Sequence, residues 1–189
     1  RREDGVKVSH EFENIYKNLF INYQNDFRFD YLAGQGNMLI ICYDDFMDEM
    51  EPFVTWKNKK GIPTEIVPLS SIGNSVLQIQ EYINDYYYQH GLTYLLLVGD
   101  AAQMPTHIVG GSASDPTYGY IEGDDAFSEI IVGRFSANNP NELITQIDRS
   151  IEYEKYPQDN AAWYSKALGI ASNQGPGMNG YTDDDFNEW

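Results

Sequence analysis

The sequence predicts an α/β domain, a parallel sheet with helices packed on both faces. Two observations carry this. Met38-Leu39-Ile40-Ile41-Cys42-Tyr43 and Thr93 to Val98 are short runs, apolar almost throughout, as expected for strands buried on both faces. The segments between them repeat apolar residues at helical spacing, and strands alternating with amphipathic helices are the signature of parallel sheets. With 189 residues, 42% hydrophobic and 22% charged, the chain has the length and composition of one sizeable domain.

Taken in order, residues 1–37 read as an irregular lead-in or linker. Ser9 is placed to cap a short helix carrying Phe12, Ile15, Tyr16, Leu19 and Phe20; Asn22 to Tyr31 shows no clear period, and Gly34-Gln35-Gly36-Asn37 punctuates the end of the lead-in. Residues 38–189 then form the regular domain. Met38 to Tyr43 is its first strand. Phe46 to Lys60 is amphipathic through Phe46, Met50, Phe53, Val54 and Lys57. Pro52 belongs in a first helical turn, which moves the helix start later than Phe46. Lys57, Lys59 and Lys60 suit the negative end of that helix, and Gly61 stops it.

Thr64 to Val67 is a short strand. Val76, Leu77, Ile79, Tyr82, Ile83, Tyr86 and Tyr87 mark a second helix. Thr93 to Val98 is the strongest strand and ends in Gly99-Asp100. Gly110 to Gly123 reads as the longest loop. Ile130-Ile131-Val132 is a further strand. Asn139-Pro140 gives the cap and first position of a helix that turns Leu143, Ile144, Ile147 and Ile151 inward. Ala167 to Ala171 is the last strand. Thr182 with Asp183, Asp184 and Asp185 starts a final helix that Trp189 cuts short, so the chain reads as part of a longer protein.

The formal net charge of -17 repels phosphate backbones and anionic lipid, which makes nucleic acid and membrane surfaces poor partners. No apolar run approaches the ~20 residues of a membrane span. Cys42 is the sole cysteine, so no internal disulfide or multi-cysteine metal site can form. Its apolar strand makes it a core residue rather than a reactive thiol. His10, His90 and His107 sit in no serine or cysteine catalytic motif and read as surface or capping residues. No glycine-rich phosphate loop follows the first strand.

Sites in such sheets form at the carboxyl ends of strands. Those positions are Tyr43-Asp44-Asp45, Gly99-Asp100, Gly133-Arg134 and Ser172-Asn173-Gln174. Glu122 to Glu129 offers four carboxylates in eight residues. Asp125 and Glu129 could embrace a hard cation with carbonyls between them, or simply face solvent.

Five blocks in order carry a resemblance. They are Phe53 to Gly61, Leu92 to Asp100, Tyr118 to Glu129, Val132-Gly133-Arg134-Phe135-Ser136, and Thr145 to Glu154. Together they resemble the gingipain family of cysteine endopeptidases, most closely its arginine-cleaving branch, over residues 37–189. The resemblance implies a caspase-like α/β fold, with this chain as the N-terminal subdomain of a peptidase unit. It implies that the catalytic histidine and cysteine lie beyond Trp189, in the downstream half of the unit, and that this chain alone is inactive.

The resemblance also implies a calcium site of Asp100, Asp125, the Phe127 carbonyl and Glu129. It places Gln174 where the family has an acidic assistant to the histidine; an amide there can orient an imidazole only by hydrogen bonding. It places Asp183 at the base of the S1 pocket, where a carboxylate selects arginine, with Asp184 and Asp185 as alternative matches. The implied parent is secreted or at the cell surface and acts on peptides. The competing expectation is a non-enzymatic calcium-binding or interaction domain that kept the fold and lost the chemistry.

Overall fold

The computed structural model describes residue 15, residues 36–123, residue 125 and residues 127–166. Strand β1 is Asn37–Cys42 and is followed by a 3-10 turn, Asp44–Phe46. Helix α1 is Glu51–Lys59, with Pro52 in its first turn, so the helix starts where the proline allows. Strand β2 is Thr64–Pro68, and the single-turn helix α2 is Leu69–Ile72. Helix α3, Val76–His90, begins at Ser75, whose side chain accepts from the Gln78 N–H, and stops at Gly91, whose φ is 72°. Strand β3 is Leu92–Val98. Strands β4, His107–Val109, and β5, Ser112–Ser114, form a hairpin. A 3-10 turn, Asp115–Gly119, then leads toward strand β6, Ile131–Phe135, and helix α4, Pro140–Lys155.

The main sheet has order β2-β1-β3-β6, and all three pairings are parallel. Alternation along the central strands divides the core. Met38, Ile40 and Cys42 of β1, with Leu96 and Val98 of β3, face Phe53 of α1 and Leu143 and Ile147 of α4. Leu39, Ile41, Leu95 and Leu97 face Ile79, Ile83 and Tyr86 of α3, together with Met104, Tyr118 and Ile130. The predicted parallel sheet with helices on both faces is therefore the architecture observed. Cys42 is fully buried, as its strand context requires, and burial together with the charges of Asp44 and Glu49 pushes its thiol up to about 12.

Three sequence expectations change. Ile144 does not turn inward; it is 41% exposed, because α4 rests on the narrower stripe of Leu143 and Ile147. The segment from Gly110 is not an unbroken loop. Gly110 and Gly111 have φ of 58° and 85°, and two consecutive left-handed residues make the tight turn that closes the β4–β5 hairpin. The strand predicted at Ile130 begins at Ile131 and runs to Phe135, while Ile130 itself packs in the core. The predicted lead-in helix, apart from Ile15, the strand at Ala167 to Ala171 and the helix after Thr182 lie outside the described residues. Two compact units divide the chain, Arg1–Tyr153 and Glu154–Trp189. Among the described residues, no helix is long and apolar enough to cross a membrane.

Candidate functional site

The chain leaves β1 for β2 on one side and returns to β3 on the other, so the strand order reverses between β1 and β3. That reversal opens a crevice at the carboxyl ends of the two strands. Tyr43 and Gly99 line it. The Tyr43 N–H reaches the Val98 carbonyl at 3.0 Å, which carries the pairing one residue past β1. Gly99 adopts φ of 126°, and a Cβ there would lie 3.1 Å from the Gln103 Cβ and 3.4 Å from the Tyr43 Cβ. Only glycine meets both constraints without strain. The Gln103 Oε1 atom is buried and has no hydrogen-bond partner among the described residues.

Charged side chains tie the surrounding loops together. Asp44 accepts from the Ser70 N–H at 3.1 Å and from the Ser70 hydroxyl, joining the ends of β1 and β2. Asp100 accepts from the Ser136 hydroxyl at 2.7 Å, and its N–H donates to the Ala137 carbonyl at 3.1 Å. The Ser136 hydrogen bond is the main cause that holds the Asp100 carboxyl below the usual carboxylate range, helped by the Ala101 N–H and Asn138.

Arg134 is the densest of these ties. Its Nε and Nη2 donate to the two oxygens of Asp115, both at 2.7 Å. Its Nη1 donates to the Gly99 carbonyl at 2.8 Å and the Met104 carbonyl at 3.0 Å, and its Nη2 reaches the Pro105 carbonyl at 3.5 Å. A guanidinium has five N–H donors, and here each has an acceptor. The Arg134 hydrogen bonds lower the Asp115 carboxyl, opposed by burial and supported by the Thr106 hydroxyl. Gly133-Arg134 is legible as a strand end; the partner Asp115, 19 residues earlier in the turn after the hairpin, gives no sequence signal.

His107 is half-buried and engaged by its neighbours, not a capping residue. Its Nε2 lies 3.0 Å from Gln80 Oε1, and its ring meets Tyr118 edge-on at 4.6 Å. The Gln80 amide nitrogen already donates to Asn84 Oδ1 and the Tyr118 carbonyl, so Gln80 Oε1 accepts and His107 Nε2 donates. Burial lowers the His107 pKa. The histidine fastens the hairpin base to α3 and has no nucleophile beside it among these partners.

The structure does not bring the four expected calcium ligands together. Ile131, the first residue of β6, pairs with Tyr94, and Glu129 precedes it. Asp100 lies beyond Val98 at the opposite end of the same strand pair. The paired segment from Tyr94 to Val98 spans four residue steps, about 13 Å at ~3.3 Å per residue, and Glu129 and Asp100 lie beyond its opposite ends. A calcium ion takes its oxygens at about 2.3–2.6 Å, so it cannot take both. Asp125 and Phe127 stay with Glu129 on one loop. Asp125 Oδ1 accepts from the Phe127 N–H at 2.9 Å, and the buried Glu129 carboxylate accepts from the Ile121 and Glu122 N–H groups at 3.0 and 3.1 Å. These hard oxygens fit calcium in kind. Among the described residues, no group of three or more His, Cys, Asp and Glu side chains gathers as metal ligands. Gln174 and Asp183 lie outside the described residues.

Comparison with known proteins gives a consistent result. The family model described as Peptidase family C25 matches residues 31–188. The chain is similar to Gingipain R2 of Porphyromonas gingivalis, 39% identical over 170 residues, covering 87% of this chain and 23% of the relative. It is 29% identical over 175 residues to Lys-gingipain of the same organism, covering 85% of this chain and 10% of the relative. The solved structure of the Arg specific cysteine proteinase gingipain R superposes with a TM-score of 0.71 at 36% identity, over 82% of this chain and 37% of that one. The complex of Porphyromonas gingivalis RgpB pro- and mature domains matches with a TM-score of 0.69 at 38% identity, over 78% of this chain and 36% of that one. The chain thus spans about a quarter or less of the length of these curated relatives.

Proposed function

The chain belongs to peptidase family C25, and on that premise we propose that it is the N-terminal part of a gingipain-like cysteine endopeptidase that cleaves after arginine. The observation that carries this is the 39% identity over 170 residues to Gingipain R2, against 29% to Lys-gingipain. The catalytic histidine and cysteine belong to the downstream half of the unit. There a thiolate attacks the scissile carbonyl, and the imidazole protonates the leaving amine. Buried Cys42, with its thiol pushed up to about 12, does not supply that thiolate. This part contributes half of the sheet and, through Asp183, the carboxylate that receives the substrate guanidinium in S1. Gln174 orients the imidazole by a hydrogen bond.

Calcium belongs in the same reading, on the loop carrying Asp125, the Phe127 carbonyl and Glu129, with Asp100 outside the site. When bound, the ion adds positive charge that neutralises and braces an acidic loop. The parent is secreted or surface-exposed and acts on peptide and protein substrates. A second reading, a calcium-binding or interaction domain without catalysis, is favoured by Gln174 standing where the family has an acid.

The test is hydrolysis of Arg- and Lys-containing peptides by the full parent protein. Cleavage after arginine that Asp183→Ala abolishes is expected, with no turnover by the 189-residue chain alone. A full-length protein without peptidase activity would select the second reading.

A further inference from the structure

The described residues contain two arginines, Arg134 and Arg149, and five lysines, Lys57, Lys59, Lys60, Lys155 and Lys166. Both arginines lie inside regular elements, whereas three of the lysines lie at element ends or in turns. An endopeptidase needs its target side chain free to enter S1 and several flanking residues extended, so a folded segment is cut only after local opening. Arg134 fails on both counts. It sits inside β6, paired opposite Leu97, and its guanidinium already holds five acceptors. An S1 carboxylate would have to replace Asp115 while the strand left the sheet. Arg149 is exposed as a side chain but lies within α4, after the core residues Leu143 and Ile147. Extending the backbone around it pulls those two residues from the core.

Three of the five lysines are less protected, while Lys57 is buried within α1 and Lys59 lies in its last turn. Lys60 follows α1 in an exposed turn and is joined to Gly61, whose φ is 92°. Lys155 ends α4, and Lys166 follows an exposed 3-10 turn, Ala162–Ser165. Helix ends and exposed turns are where chains open first.

We propose that this domain is built to withstand arginine-directed cleavage, including that of its own parent enzyme, while remaining open to lysine-directed cleavage. The biological meaning rests on the arginine-directed reading above; the resistance itself does not. A peptidase accumulating at high concentration is its own most abundant protein substrate, and confining arginine to a clamped strand and a packed helix removes its domain from that pool.

The experiment treats the native 189-residue chain with a generic arginine-directed endopeptidase and, separately, a lysine-directed one, and maps cuts within residues 36–166 by mass spectrometry. Cutting after Lys60, Lys155 or Lys166 is expected at least about tenfold faster than any cut after Arg134 or Arg149. In denaturant both arginines should be cut. Lys60→Arg should create a native arginine-directed site without disturbing the core. Native cutting after Arg134 or Arg149 at rates matching the lysine sites would overturn the proposal, as would a Lys60→Arg turn that stays intact. Incubation with the active parent separates the two readings. A parent that cuts this domain after lysine overturns arginine specificity and leaves the resistance standing.

Discussion

Arg134 and Asp115 meet through two parallel 2.7 Å hydrogen bonds, and their side chains are only 13% and 24% exposed. The pair joins the last strand of the sheet to the turn that precedes it in the chain. The three carbonyls that Arg134 also holds fix the segment after β3. Removing one member strands the other in a low-dielectric setting. Arg134→Met is expected to cost about 2–4 kcal/mol, below the largest buried-pair values because both groups keep some solvent. Arg134→Lys should recover little, since a point charge cannot reproduce the fork. Chemical denaturation checks this; a loss below about 1 kcal/mol for Arg134→Met would show that the clamp is dispensable.

The same pair sets an acid limit. Asp115 has a lowered pKa in the folded chain, chiefly from Arg134. The folded state therefore binds its proton more weakly than the unfolded chain does. This contribution is fully present above the unfolded carboxylate pKa of about 3.9 and is lost as pH falls through the lower folded value. Asp115→Asn should flatten that part of the stability curve below about pH 4. An unchanged slope in urea melts across this range would remove Asp115 from the acid response.

Cys42 is expected to be inert in the native state. With its thiol pushed up to about 12 and no exposed surface, it carries almost no thiolate near neutral pH. A thiol reagent should label it only after unfolding. Rapid labelling of folded protein would contradict the burial.

Calcium should raise the melting temperature through the Asp125–Glu129 loop. Saturation at a hundredfold over Kd corresponds to about 2.7 kcal/mol. Asp100→Asn should leave the calcium response intact, and Asp125→Asn should reduce it. No difference between calcium and chelator would remove the site.

Leu97 anchors the central strand with no exposed surface. Leu97→Ala should cost about 2–5 kcal/mol from lost contacts and the cavity left behind. A smaller loss would mean that α3 settles into the gap.

Much of this architecture was legible because local physics decides it. Met38 to Cys42 and Thr93 to Val98 are apolar on both faces, and only the middle of a covered sheet satisfies both faces at once. Pro52 and Gly61 bound α1 by backbone chemistry alone. Ile144 departs from the inward expectation because helical spacing gives the direction of a stripe and not its width, which the neighbouring sheet sets. The Gly110-Gly111 turn was readable in principle, but the three-residue strands beside it are too short to show a period. The site was less legible than the fold. Arg134 with Asp115, and His107 with Gln80, are partners across long sequence separations, and no local pattern encodes them. The separation of Asp100 from Glu129 follows from strand register, which the motifs do not carry.

Strand β1 lies between β2 and β3, both of which follow it in the chain. During synthesis its apolar residues leave the ribosome with neither neighbour yet made. At roughly 5–20 residues per second, Leu39 and Ile41 wait several seconds for Leu95 and Leu97. Until then two greasy flanks of a nascent strand are open to wrong partners. Production of this polypeptide should thus depend on holdase capacity in the producing cell more than the finished fold's stability would suggest.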